Sequence, residues 1–277
     1  MRVAVTGATG FVGRHVIAAL LARGVQVTGA ARSPERIHIS HSRLTMISMD
    51  ISDAEDAFVR LGKPDILIHL AWGGLPNYRS MAHLQHELPN QIAFLDECSR
   101  AGLGRLVVTG TCLEYGMQAG RLAEDMPTAP ITAYGHAKDL LREHLESANG
   151  GPQLTWLRLF YLYGQGQAPT SLFSQLRNAL ATGAKEFPMS AGDQERDFLS
   201  VESAAARLTA LALDSPGAGT VNLCSGNPKP VVLLVREWLQ EWNEQIQLKL
   251  GVFPYPDYEP HTFWGSTQKL DALLEAT

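Results

Sequence analysis

The stretch Thr6-Gly7-Ala8-Thr9-Gly10-Phe11-Val12-Gly13 decides the fold. It follows Arg2-Val3-Ala4-Val5, which reads as a short buried strand. It opens into Arg14-His15-Val16-Ile17-Ala18-Ala19-Leu20-Leu21, whose apolar residues recur with helical period. A glycine-rich turn between a first strand and its helix lets the backbone approach a ligand closely and leaves N–H groups free at a helix N-terminus. A bound pyrophosphate requires both. Gly7, Gly10 and Gly13 are evenly spaced, more loosely than in G-x-G-x-x-G. With 25 glycines in 277 residues the match is weak by itself, and the strand–turn–helix context carries it. An ordinary strand-to-helix turn is the competing reading.

Working outward, strands are expected at Val25–Ala30, Leu44–Met49, Asp65–Ala71, Arg105–Thr109 and Leu154–Leu159. Between them a capped helix is expected over Asp53–Val59, one from about His83 to Arg100 with Pro89 breaking or kinking it, and one from Ala133 past Leu145. This alternation predicts an α/β fold, a doubly wound and mostly parallel sheet. After Tyr163-Gly164-Gln165-Gly166-Gln167 the pattern changes. Helices are expected over Ser171–Thr182, Glu202–Leu213 and Val231–Asn243, with Val221–Cys224 returning to the sheet. The expected division is a dinucleotide-binding domain of residues 1–164 plus about 197–226. A smaller substrate-binding subdomain takes about 165–196 plus 227–277. Ligands of open α/β sheets bind beyond the carboxyl ends of the strands, and the irregular C-terminal pieces would cover the far side of that crevice.

Composition narrows the class. Hydrophobic residues make up 45% of the chain and charged ones 18%, as in a globular protein. A net charge of −5 argues against a broad nucleic-acid surface. Cys98, Cys112 and Cys224 are scattered and odd in number, which fits free thiols in a reducing compartment. No apolar run approaches a membrane span, and the chain begins directly on a strand, leaving no room for a signal peptide. A cytoplasmic protein is expected.

Tyr134 and Lys138, four apart on an expected helix, share one face. An ammonium there would favour the phenolate and bring Tyr134 toward use as an acid/base. Thr111 adds a hydroxyl at the carboxyl edge of the sheet. Cys112 reads as a small buried residue of the pocket wall, and Trp72-Gly73-Gly74 as a cofactor or substrate contact on a par with plain packing. The His38/His41 and His83/His86 pairs lack the carboxylates or thiols that would complete a metal site, so solvated or capping histidines are expected and no metal. His136 is expected to face away from Tyr134 and Lys138, and Trp238 with Trp242 to form the core stripe of the last long helix.

Together, Thr6-Gly7-x-x-Gly10-x-x-Gly13, Thr111 and Tyr134-x-x-x-Lys138 resemble the extended short-chain dehydrogenase/reductases. These are Rossmann-type nucleotide-sugar epimerases, dehydratases and reductases. The likeness continues through Asp65–Ala71, Glu114-Tyr115-Gly116, Arg158–Gly164, Arg196–Val201 and Val221–Gly226. The resemblance implies Tyr134 as acid/base, Thr111 as the hydrogen-bond partner of the substrate oxygen, and Lys138 as the residue that tunes Tyr134 and holds the nicotinamide ribose. It implies Gly7, Gly10 and Gly13, with the Phe11 and Val12 amides, as the pyrophosphate turn. Asp50 and Ile51 would meet the adenine, and Leu70, Ala71 and Trp72 would line the cofactor. Arg196 would pair with the sugar nucleotide's diphosphate, with Cys112 and Tyr161 in the sugar pocket. A homodimer is implied as well.

The departures are informative. Thr111 precedes Cys112-Leu113 where the 4,6-dehydratases carry Asp-Glu, so elimination is not expected. Tyr161 replaces the usual Asn. The acidic residue at the end of strand two is Ala31, followed by Arg32, which favours the 2′-phosphate of NADP(H), with NAD(H) as the alternative. The expected activity is NADPH-dependent reduction of a 4-keto group on a nucleoside-diphospho-sugar, of the dTDP-4-keto-6-deoxyhexose kind. The alternatives are a 4-epimerase that retains NAD and a non-catalytic NAD(P)-sensing protein.

Overall fold

The computed structural model describes residues 1–276. Seven parallel strands form its main sheet: β1 (Arg2–Thr6), β2 (Gln26–Ala31), β3 (Leu44–Ser48), β4 (Ile66–His69), β5 (Arg105–Thr111), β6 (Gln153–Leu159) and β7 (Gly219–Leu223). Their order is β7-β6-β5-β4-β1-β2-β3. The order reverses between β1 and β4, and that is where an open parallel sheet leaves a crevice at its carboxyl edge.

The central strands are buried and mostly apolar because helices cover both faces, with polar side chains such as Thr6, His69 and Thr111 at their carboxyl ends. On one face α1 (Phe11–Ala22) packs against a later helix, Val201–Asp214. Val16, Ile17 and Leu20 meet Ala204, Ala205 and Leu208 there over Val3, Val5 and Ile68. On the other face the short α2 (Ala57–Arg60), α3 (Leu88–Arg100) and α4 (Ala133–Ser147) cover Ala4, Leu67, Leu106 and Val108. A third cluster joins α5 (Leu172–Ala181) to α7 (Val231–Glu241) through Leu176, Phe187, Val235 and Trp238. Between the first and third clusters lies a small sheet. In it Tyr161–Tyr163 pairs parallel with Phe198–Ser200, and Pro228–Pro230 pairs antiparallel with Glu195–Asp197. With Val201–Asp214 as α6, the final helix α8 (Gln268–Glu275) returns to pack on α6 and β7.

One local expectation needs correction. The helix expected over Asp53–Val59 is a single turn, Ala57–Arg60. Asp56 adopts φ +50° and gives it no side-chain cap, while the Asp53 carboxylate pairs instead with Arg60 at 2.7 Å. The helix expected from about His83 to Arg100 is present, and the disturbance expected at Pro89 takes the form of a π-turn over His83–Glu87 that runs on into the α-helix from Leu88. Trp238 and Trp242 stack along the inner face of α7, as expected for a core stripe. Among the described residues no helix is long and apolar enough to cross a membrane.

Candidate active site

The glycine turn lies at the reversal point. Gly7 takes φ +66°, and a Cβ on it would meet the Ala71 amide at 2.9 Å. On Gly13 a Cβ would fall 2.2 Å from the Gly7 carbonyl, so the helix can approach the turn only without a side chain. Gly10, extended, caps α1 with no side-chain bond to the first helical amides. Phe11, Val12 and Gly13 thus bring the donor end of a helix dipole to a cradle only glycines permit. The residues present fit a dinucleotide pyrophosphate.

A buried relay ties this cradle to the neighbouring strand. The Leu70 and Ala71 amides donate to Thr6 Oγ1 (3.2 and 3.4 Å), and Thr6 Oγ1 bonds His69 Nδ1 at 2.9 Å. His69 Nε2 bonds Gln91 Oε1, and the Gln91 amide donates to the Ala71 carbonyl and the Glu87 carboxylate. Burial drives the His69 pKa down to about 3, so the ring stays neutral and joins donor to acceptor. At the outer side, β2 ends with Ala31 buried and Arg32 exposed. Asp50, just past β3, accepts from the Ser52 amide and hydroxyl, which with Arg32 nearby lower its pKa. Ile51 follows, half-buried.

Thr111 ends β5 and caps the turn after it. Its hydroxyl accepts from the Leu113 amide (3.2 Å), and Glu114 accepts from the Thr111 amide (2.8 Å). Glu114 is fully buried and also takes bonds from Arg158 (2.7 Å) and Trp156 (3.1 Å). Tyr134 and Lys138, on the first turns of α4, are both buried. The Tyr134 phenol comes near enough to the Thr111 side chain to interact with it. Its ring is ringed by Tyr78, Trp72 and His83 at centroid distances of 5.6, 5.8 and 5.3 Å.

The expected lowering of the Tyr134 pKa by Lys138 is absent here. Burial raises the phenol's pKa strongly, Tyr78, Glu114 and Cys112 push the same way, and only the nearby Thr111 side chain opposes them. Lys138 turns elsewhere: Nζ donates to the Thr109 carbonyl at 2.7 Å and lies 4.0 Å over the Trp72 ring. Burial depresses the Lys138 pKa to about 7 against the pull of Glu114 and Glu87.

His83 overturns another expectation. It is fully buried: Nδ1 accepts from Trp72 Nε1 (3.1 Å) and Nε2 bonds the Asn77 carbonyl (2.9 Å). His136, by contrast, is exposed beside Tyr134 and lines an open cavity with Arg79, Thr132, Ala133 and Tyr258. Cys112 is a buried free thiol whose pKa is raised by burial, as suits a wall residue. Arg196 is buried with its fork engaged by the chain itself. Nη1 donates to the carbonyls of Glu195 (2.8 Å) and His261 (2.7 Å), and Nη2 lies 3.2 Å from Glu259 Oε1 without hydrogen-bond alignment. Tyr161 bonds the same carboxylate. Sequence reasoning missed Tyr78, His83, Glu87, Gln91 and Glu259. The one available signal was the Trp72-Gly73-Gly74 segment, whose continuation brings the Tyr78 carbonyl to the Tyr134 amide at 2.9 Å.

Residues 3–224 match the model of a family described as NAD dependent epimerase/dehydratase family. The chain is 30% identical over 271 residues to a dTDP-6-deoxy-L-talose 4-dehydrogenase (NAD(+)) of Aggregatibacter actinomycetemcomitans, covering 96% of this chain and 100% of that one. It is 28% identical over 292 residues to a dTDP-6-deoxy-L-talose 4-dehydrogenase (NAD(P)(+)) of Kitasatospora kifunensis, covering 99% and 88%. Among solved structures, the NAD dependent NDP-hexosamine 5,6-dehydratase TunA, of tunicamycin biosynthesis, superposes with a TM-score of 0.83. That match is 26% identical and covers 99% of this chain and 90% of that one.

Proposed function

The chain belongs to the NAD dependent epimerase/dehydratase family, and on that premise we propose that it reduces a 4-keto group on a nucleoside-diphospho-6-deoxyhexose, a dTDP sugar above all. The carrying observation is the placement of Tyr134 beside Thr111 at the carboxyl edge of β5, both side chains buried, on the edge of the sheet where the glycine cradle lies. A 4-dehydrogenase and a 4-keto reductase run one reaction in opposite directions, so the two talose dehydrogenases support this choice.

A nicotinamide dinucleotide supplies hydride chemistry when bound. The chain's own residues do the rest. Gly7, Gly10, Phe11, Val12 and Gly13 hold the pyrophosphate; Asp50, Ile51, Leu70, Ala71 and Trp72 line its course. Thr111 orients the substrate carbonyl and Tyr134 gives its oxygen a proton. Burial keeps that phenol protonated, the form a reduction needs. Lys138, held over Trp72, is within one helical turn of Tyr134 and bears on the ribose. Arg196 receives the diphosphate, and Cys112 with Tyr161 shapes the sugar pocket. Residues 1–164 plus about 197–226 carry the dinucleotide in this reading, and about 165–196 plus 227–277 the sugar nucleotide, with α8 lending itself to the sheet.

Arg32 after Ala31 inclines the site to NADP(H), since a guanidinium suits a 2′-phosphate and a carboxylate is missing there. The test is oxidation of NADPH over a panel of nucleoside-diphospho-4-keto sugars. Stoichiometric consumption with a dTDP-4-keto-6-deoxyhexose supports the proposal. Protein that carries tightly bound NAD and interconverts sugars without consuming NADPH would make it an epimerase instead.

A further inference from the structure

The segment from Val252 to Thr262 forms a strap over the substrate end of the site. Its ends are pinned by backbone bonds, Val252 to Met189 (2.9 Å) and Glu195 to His261 (3.1 Å). Between them the strap is held by side chains. On its outer side Asp257 pairs with Arg79, and Tyr255 and His261 both meet Asp193, all of these groups being exposed except for the half-buried Tyr255. Tyr258 packs on Tyr78, whose other neighbour is Tyr134, so the strap is two rings from the candidate acid.

Glu259 points inward, with its side chain only 8% exposed. Its carboxylate takes the Tyr161 hydroxyl and lies 3.2 Å from Arg196 Nη2. A guanidinium fork matches a carboxylate and a phosphate by the same geometry. We propose that Glu259 is an internal stand-in for phosphate on Arg196, which a nucleoside diphosphate must dislodge before it can bind. The proposal rests on the reading of Arg196 as the diphosphate residue.

Two anions cannot share this enclosed site at low cost, because like charges repel strongly where water is excluded. The carboxyl must therefore take up a proton as the anion arrives. Protonation is accessible: burial pushes the Glu259 carboxyl up to about 7. The groups facing it are Arg196 and Tyr161 in contact, with Cys112 and Tyr78 nearby and Tyr258 beside it on the strap. Burial raises the pKa of Cys112, Tyr78 and Tyr258 and keeps these groups neutral, so Arg196 is the facing charge. Above pH 7 the ionised carboxylate holds Arg196 against an incoming anion; below it the pair loosens. Anion affinity therefore falls as pH rises through 7.

The test is calorimetric binding of dTDP-glucose to the full chain at about pH 6 and about pH 8.5, in buffers of differing protonation enthalpy. That ligand's diphosphate keeps its charge across this range. The wild type should lose roughly tenfold to thirtyfold in affinity between the two, with one proton taken up at the higher pH. Glu259→Gln should bind equally at both and exceed the wild type roughly tenfold at pH 8.5. Glu259→Ser, checked for folding by thermal melting, should agree. Affinity independent of pH in the wild type, or weaker binding by both variants, would overturn the stand-in. Turnover of a 4-keto sugar with a pH-independent KM shared by Glu259→Gln overturns the stand-in alone. Proton-linked binding without turnover of any keto sugar overturns the proposed reaction and leaves the stand-in intact.

Discussion

Tyr134 is 8% exposed, close to Thr111 and surrounded by three aromatic rings. Tyr134→Phe removes one oxygen from this packed setting and should leave the fold unchanged. The reduction should slow by about 10²–10⁴-fold in kcat, the usual worth of a positioned proton donor, with the melting temperature as the control. An unchanged rate on every sugar would favour the sensing protein. Lys138 gives a pH signature. Its folded pKa of about 7 lies below the ordinary 10.5. Between these values the unfolded chain holds a proton that the folded chain lacks, so stability rises with pH across that window. Below pH 7 the folded protein bears the full cost of the buried charge. Lys138→Met should therefore be stabilised relative to wild type at about pH 6, and the gain should shrink toward pH 10 while turnover falls. A difference in urea midpoint that stays constant with pH would contradict this.

Among the elements, α1 is the most exacting because its first turn touches backbone. Gly13→Ala would put a methyl 2.2 Å from the Gly7 carbonyl, which no rotamer change can relieve. Overpacking of this kind should cost about 1–3 kcal/mol in urea unfolding, and dinucleotide affinity should drop at least tenfold as the cradle shifts. Affinity equal to wild type would detach the glycines from the cofactor. That constraint was legible in the sequence because it is local: strand, turn and helix lie within 22 residues of the start. Tyr134 and Lys138 were legible for the same reason, through helical spacing. The partners of these residues were not. Thr6 meets His69 across 63 positions, and Tyr161 meets Glu259 across 98. No periodicity encodes which side chains a loop brings back. His83 illustrates the failure: its i,i+3 spacing to His86 suggests a solvent-facing pair, yet a π-turn and the Trp72 indole bury it. The helix expected at Asp53 failed because that carboxylate found Arg60 before any helix amide.

At the scale of the molecule, the sheet and the α5–α7 cluster are separate cores, with the glycine cradle at the edge of the first and Arg196 against a further cluster through Tyr161 and Phe263. A dinucleotide that binds only the folded chain stabilises the whole by mass action, about 2.7 kcal/mol at a hundred times its Kd. For a chain of this size that corresponds to a rise in melting temperature of about 5 °C. The same measurement decides the cofactor. Arg32 is exposed just past β2, with Ala31 where a ribose-binding acid would stand. NADP⁺ should therefore raise the melting temperature more than NAD⁺ at equal concentration. Arg32→Asp should reverse the order, because a carboxylate accepts the ribose hydroxyls and repels the 2′-phosphate. Added salt should erode the NADP⁺ advantage in the wild type, since an exposed guanidinium acts through a screened field. Equal shifts for both dinucleotides, unchanged in Arg32→Asp, would mean that this residue is a surface charge and that cofactor choice is set deeper in the cleft.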